Sequence, residues 1–169
     1  MPAIKEGNLT FSFEFGAVKF DDSAFYRRQF VRIQNNIQAV DIVAVDNETA
    51  YLIEVKDYTH PDTENLTLEE LIRTIISKIL LTLSAILPMK NNANVRAEKM
   101  IAEKFSRADR ISIIFHMELP PPRRTLRQSA FNIQNLQIQL RRKLRSVDPH
   151  LKIVSASNSE GLPWRVERR

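Results

Sequence analysis

The chain reads as an α/β fold, a mixed central β-sheet flanked by helices. Three observations predict it. Residues 38–45 and 50–56 are apolar, β-branched runs on either side of Asp46-Asn47-Glu48-Thr49, a turn-forming quartet, so they read as a β-hairpin. Residues 68–87 carry apolar side chains at helical spacing, and residues 111–117 return to a short apolar strand. Strands interleaved with helices favour a mixed sheet with helices packed on it.

Each element follows from its local pattern. Residues 9–15 (Leu-Thr-Phe-Ser-Phe-Glu-Phe) alternate apolar and polar, as a half-buried strand does. Residues 20–36, with Phe20, Phe25, Tyr26, Phe30, Val31 and Ile33, fit helix and extended structure equally. His60-Pro61-Asp62 opens a polar loop. Thr67 then caps a helix, with Glu70 as its capping-box partner. Leu68, Leu71, Ile72, Ile75, Ile76, Ile79, Leu80, Leu83, Ile86 and Leu87 give that helix a wide apolar face suited to a sheet, and Pro88 is expected to end it. Residues 93–106 read as a second helix, with Val95, Ile101 and Phe105 facing inward. Prolines 120–122 break the chain after the strand at 111–117. A long helix is expected over 125–145, with Leu126, Ile133, Leu136, Leu140 and Leu144 on one face, and a last strand over 151–156. Residues 1–169 are expected to form one domain.

Composition removes several kinds of chemistry. The 169 residues include no cysteine, which excludes thiol nucleophiles, disulfide frameworks and cysteine-ligated zinc. The three glycines, Gly7, Gly16 and Gly161, stand far apart, which excludes a P-loop and a dinucleotide fingerprint. The first ten residues lack the basic-then-apolar pattern of a secretory signal. Arg73 and Lys78 interrupt the most apolar stretch, Ile72 to Leu87, so a buried core helix is expected there. The expectation is a soluble, cytoplasmic protein with no membrane partner.

The informative feature is charge inside apolar strands. Asp41 interrupts Ala39-Val40-Asp41-Ile42-Val43, and Glu54 and Lys56 interrupt Leu52-Ile53-Glu54-Val55-Lys56. Side chains alternate faces along a strand, so Leu52, Glu54 and Lys56 share one face. Folding the hairpin about 46–49 pairs Val45 with Ala50, Val43 with Leu52, and Asp41 with Glu54. Like charges directly opposite each other are destabilising. At about 4 Å and an effective dielectric near 20, the repulsion is on the order of 4 kcal/mol. Proton sharing or a cation would relieve it. Lys56 offers one positive charge; a divalent metal offers two and suits carboxylate oxygens. The plainer alternative is a buried, salt-bridged cluster, which is a weak stabilising device.

This arrangement resembles the restriction-endonuclease-like, or PD-(D/E)XK, nuclease superfamily. Val40-Asp41 stands where that family has Pro-Asp, and Glu54-Val55-Lys56 matches its acid-any-Lys triplet. The long helix after the triplet, followed by a strand, matches its α/β/α core at the level of element order. The resemblance implies Mg²⁺-dependent phosphodiester cleavage, with Mn²⁺ able to substitute. Asp41, Glu54 and the Val55 carbonyl would hold the metal, and Lys56 would orient or help deprotonate the attacking water. Asp41, Glu54 and Lys56 are therefore the candidate catalytic residues. Many members add a Glu from the preceding N-terminal helix; this chain has no clear equivalent, and Asp21, Asp22 and Glu14 are the candidates, with Asp21 preferred. Many also carry a Gln or Lys on the following helix, where Arg73 and Lys78 lie, although Lys78 equally suits a snorkelling surface lysine. His60, His116 and His150 are scattered, and none is assigned a catalytic role.

Charge is unevenly distributed. Residues 123–169 hold eleven Lys/Arg and three acids (net +8), whereas the other 122 residues carry 14 basic and 17 acidic groups (net −3). Arg123, Arg124, Arg127, Arg141, Arg142, Lys143 and Arg145 form a candidate phosphate-tracking surface. A solvated helix face, with a few charges answering the helix dipole, is the plainer reading. Aromatics are sparse there, so backbone binding is expected rather than base stacking. The expected partner is nucleic acid, DNA ahead of RNA, with a homodimer as an option by analogy alone. The alternative function is an inactive module of the same fold that binds nucleic acid or a protein.

Overall fold

The computed structural model describes residues 2–60, 62–64, 66–121 and 132–168. Apolar alternation near the N-terminus builds a small sheet. β1 (Ala3–Glu6) and β2 (Leu9–Phe13) form an antiparallel hairpin around Gly7-Asn8. Gly7 sits there at φ 55, a left-handed conformation that glycine adopts without steric cost. β8 (Trp164–Arg168) pairs antiparallel with the other edge of β2. Leu9, Phe11 and Phe13 point the same way and are fully buried.

The central sheet has the order β3-β4-β5-β6-β7. Its strands are β3 (Gly16–Lys19), β4 (Ile42–Asp46), β5 (Thr49–Asp57), β6 (Arg110–Glu118) and β7 (Lys152–Val154). The β3-β4 and β4-β5 pairs are antiparallel, while β5-β6 and β6-β7 are parallel, so the sheet is mixed. One face, with Val43, Val45, Leu52, Ile113 and Phe115, packs against α1 (Ala24–Arg28), α2 (Leu68–Asn92), α3 (Arg96–Arg107) and α4 (Ile133–Lys143). The other face, with Ile42, Ala44, Ile53, Val55 and Ile114, packs against the β1-β2-β8 sheet. The α/β class and the mixed sheet are as expected. The helices flank one face, and the small sheet covers the second face where an α/β/α core would place helices.

Some boundaries differ from the sequence reading for identifiable reasons. α2 continues through Pro88 to Asn92. An interior proline costs about 3 kcal/mol, but Met89 is fully buried and the Ala93 N–H donates to its carbonyl at 2.9 Å, which anchors a further turn. The β4-β5 turn is tighter than a four-residue loop, because Asp46 already pairs with Thr49. Asn47, at φ 46, makes that turn; asparagine tolerates the left-handed region better than most residues. Asn132 caps α4 by accepting the Asn135 N–H at 3.0 Å, and the expected helical stretch over 125–131, with Leu126, lies outside the described residues. Among the described residues, α2 is the one helix long and apolar enough to cross a membrane. Its Leu71, Ile72, Ile75, Ile79, Ala85, Ile86 and Met89 are buried in the helix-side core.

Candidate active site

β5 is the spine of the site. The register pairs Val45 with Ala50, Val43 with Leu52 and Ile42 with Ile53, so the predicted pairing is present. One step beyond the ladder, Asp41 stands at the position opposite Glu54. There its side chain takes over from the backbone: Asp41 Oδ2 accepts the Val55 N–H at 2.6 Å. Leu52 belongs to the helix-side core, which puts Glu54 and Lys56 on the face under α2. Both carboxylates are buried, Asp41 to 7% exposure and Glu54 to 1%.

The charge that answers them comes from α2. Lys78 Nζ lies 2.6 Å from Glu54 Oε1 and 3.8 Å from Asp41 Oδ1, and its side chain is mostly buried. The surface alternative for Lys78 is thereby excluded. Burial opposes the charge on Lys78, but Glu54 and Asp41 outweigh it, and its pKa moves up. Glu54 is pushed up to about 8, first by burial and then by Asp41, with Lys78 and Lys56 pulling the other way. Glu54 Oε2 is buried with no hydrogen-bond partner among the described residues. Lys56 is half-buried and has no ion-pair partner within 4.0 Å among the described residues. Lys78, rather than Lys56, is thus the close counter-charge of the pair.

Asp21 reaches the same place from β3. The strand pairing continues past Lys19, and the Phe20 N–H donates to the Asp41 carbonyl at 2.7 Å. Asp21 follows directly. Its downstream side is fixed by α1, whose Ala24 and Phe25 N–H groups donate to the Glu98 carboxylate at 2.6 and 3.0 Å. Glu6 arrives from the small sheet, with its Oε2 2.9 Å from Lys19 Nζ. Glu6, Asp21 and Asp41 each bring a carboxylate oxygen within 4.8 Å of the others. Asp21 is pushed up to about 6, first by burial, then by the charges of Asp41 and Glu6. Asp41 is shared by two carboxylate groupings, one with Glu54 and Lys78 and the other with Asp21 and Glu6.

Glu6 is the residue that sequence reasoning missed. It closes a four-residue strand just before a turn, and no spacing links it to Asp41; only the pairing of β1 with β2 and its ion pair with Lys19 bring it there. The other acids weighed lie elsewhere. Asp22 pairs with Arg27, and Glu14 is exposed.

The remaining residues fall away from this cluster. His116 is on the opposite face, fully buried against Phe11, with Nε2 2.8 Å from Glu118 Oε1. Burial moves its pKa down. His60 and His150 are exposed. Arg141 Nε donates to the Leu151 carbonyl at 2.8 Å, so this arginine ties α4 to the start of β7. Arg142, Lys143 and Arg145 are exposed. Arg123, Arg124 and Arg127 lie outside the described residues. A cavity of about 250 Å³ between α1 and the α2-α3 link, lined by Arg28, Gln29 and Asn92, does not include the carboxylates.

No family model matches the chain, and no solved structure matches it. A cysteine--tRNA ligase of Neisseria meningitidis serogroup A / serotype 4A (strain DSM 15465 / Z2491) is similar, at 27% identity over 166 aligned residues. The match covers 80% of this chain and 24% of the ligase, so the chain spans about a quarter of that protein's length.

Proposed function

We propose that the chain is a metal-dependent nuclease of the PD-(D/E)XK type, hydrolysing phosphodiester bonds of nucleic acid, with DNA ahead of RNA. One observation carries the reading. Asp41 and Glu54 face each other across the β4-β5 hairpin beside Lys56, and Glu54 keeps a buried oxygen with no hydrogen-bond partner among the described residues. A buried carboxylate oxygen with no partner is costly unless something occupies it. The donor set is all oxygen, which suits Mg²⁺ and Mn²⁺. Asp21 Oδ1, likewise buried and without a hydrogen-bond partner, adds to the fit.

Asp41, Glu54 and the Val55 carbonyl would hold the metal, with Asp21 and Glu6 adding negative charge beside Asp41. A bound divalent ion supplies Lewis-acid polarisation and a more acidic water. The chain's own residues do the rest. Lys56, with no ion pair within 4.0 Å among the described residues, orients the attacking water and faces the charge that builds on the phosphoryl oxygens. Lys78 holds the Glu54 carboxylate in one rotamer and limits the repulsion from Asp41. Arg142, Lys143 and Arg145 offer exposed charge for the nucleic-acid backbone.

The second reading is a module of the same fold that binds nucleic acid without cutting it. It is favoured by Lys78, which already compensates Glu54 without an ion, and by the fact that Glu54 is not part of the closest acidic trio. The similarity to part of a tRNA ligase adds tRNA to the substrates worth trying. The test is cleavage of plasmid, linear duplex, single-stranded DNA, RNA and tRNA with Mg²⁺ or Mn²⁺. The nuclease reading expects cutting by the wild type, and none by Asp41→Ala or Lys56→Ala with unchanged circular dichroism. Salt-sensitive binding without turnover on every substrate favours the module instead.

A further inference from the structure

Thr82 occupies an unusual position for a threonine in the middle of a helix. Such a side chain ordinarily turns its hydroxyl back onto its own helix or out to solvent. Here Thr82 is fully buried, and its Oγ1 accepts the Val40 N–H at 3.0 Å. Val40 is also fully buried and lies outside any strand, so this hydrogen bond supplies the partner its amide needs.

Three contacts then hold the residues around Asp41. The Phe20 N–H donates to the Asp41 carbonyl at 2.7 Å, the Val55 N–H donates to Asp41 Oδ2 at 2.6 Å, and Thr82 holds the amide just before it. The first two come from neighbouring strands. Thr82 comes from α2, one helical turn after Lys78, which contacts Glu54 and Asp41. α2 thus fixes both the charge between the carboxylates and the backbone from which one of them projects.

We infer that Thr82 is a positioning residue for Asp41, setting where that carboxylate stands relative to Glu54 and Lys78. The inference rests on the metal-site reading above. Residues that orient metal ligands from outside typically carry roughly 10- to 100-fold in metal affinity or activity.

The test is Mn²⁺ titration calorimetry on the full chain, with cleavage kinetics beside it. Thr82→Val, which keeps the shape and loses the acceptor, is expected to weaken Mn²⁺ binding roughly ten-fold. It should lower kcat while leaving KM for nucleic acid unchanged. Thr82→Ser, which keeps the acceptor, is expected to restore both. Ile75→Val, a core truncation on the same helix whose side chain offers no hydrogen bond to the site, controls for lost stability and should bind Mn²⁺ like the wild type. Wild-type affinity in Thr82→Val overturns the inference, as does an equal loss in Ile75→Val. If Thr82→Val and Thr82→Ala both fail to fold while Thr82→Ser folds normally, the residue is structural and the inference is also overturned. Asp41→Ala separates the two claims. If it loses Mn²⁺ while Thr82→Val does not, the Thr82 assignment alone fails. If the wild type binds no Mn²⁺, both fail.

Discussion

Asp41 Oδ2 accepts the Val55 N–H at 2.6 Å, so the carboxylate just before β4 is fastened to the strand that carries Glu54 and Lys56. The bond does structural and chemical duty at once. It satisfies a backbone amide where the ladder stops, and it holds an acid beside another acid. The two duties can be separated by substitution. Asp41→Ala leaves the buried amide without an acceptor and should cost about 1–3 kcal/mol of stability. Asp41→Asn keeps an acceptor and should stay closer to wild type, yet lose Mn²⁺ binding as fully as the alanine variant. Urea denaturation and calorimetry on the pair check this.

Lys78 is the second point of leverage. Removing one partner of a buried ion pair typically costs about 3–5 kcal/mol. Glu54 can escape part of that cost by taking a proton, since burial and Asp41 already push it up to about 8. A raised pKa in the folded state means stability is lost as pH rises through it. Lys78→Met should therefore be destabilised more at high pH than at low. Adding Glu54→Gln should recover most of the loss. Denaturant midpoints on both sides of pH 8 test the sign.

Asp21 gives a pH effect of its own. Its carboxyl is raised from 3.8 to about 6, chiefly by burial and then by Asp41 and Glu6. Its contribution is fully present below the ordinary value and is lost as pH rises through about 6. Asp21→Asn removes that titration. In the presence of EDTA, the melting temperature of Asp21→Asn should match wild type in acid and exceed it at neutral pH. A difference in Tm that stays flat across this range would contradict the assignment. The acid is thus expected to cost stability in the absence of metal and to contribute when metal binds.

Glu98 shows that the site depends on a distant helix. Its carboxylate accepts two N–H groups at the start of α1, which Ser23 separates from Asp21 and Asp22. Glu98→Ala leaves those donors unpaired, at a cost of about 1–3 kcal/mol. Because the segment it frees adjoins Asp21, Mn²⁺ affinity should fall with it. Thermal melts and titration on one preparation check both effects.

The proposed nucleic-acid contact is read out by salt. Neutralising Arg142, Lys143 and Arg145 should lower affinity for every sequence alike. It should also reduce the slope of log K against log salt by about 0.9 for each duplex phosphate contact removed. Arg141 should behave differently, since its Nε holds the Leu151 carbonyl and its loss falls on stability.

The placement of the hairpin's charges was legible in the sequence because a strand's period is short and unforgiving. Charges inside β-branched runs could be assigned a face, and the turn at 46–49 set their pairing. Asp21 was legible only as a preference, since nothing local ties it to Asp41; the tie is the Phe20 N–H across the sheet. Lys78 was ambiguous because a lysine on an apolar helix can snorkel outward or pair inward, and helical spacing does not decide which. Glu6 was invisible, as were the short strands β1, β3 and β8, whose four or five residues carry too little pattern to stand out. The small sheet exists because Leu9, Phe11, Phe13 and Trp164 need a surface to bury against, and the second face of the central sheet provides it. That partnership is tertiary and leaves no mark on local spacing.

The central claim is that these carboxylates gather a divalent ion. Anomalous diffraction at the manganese edge, from crystals grown or soaked with Mn²⁺, tests it most directly. The account predicts one or more ions on Asp41, with Glu54 and the Val55 carbonyl or with Asp21 and Glu6 as co-ligands, and loss of the signal in Asp41→Asn. Crystals with Mn²⁺ elsewhere or absent, and Lys78 still seated on Glu54, would contradict it.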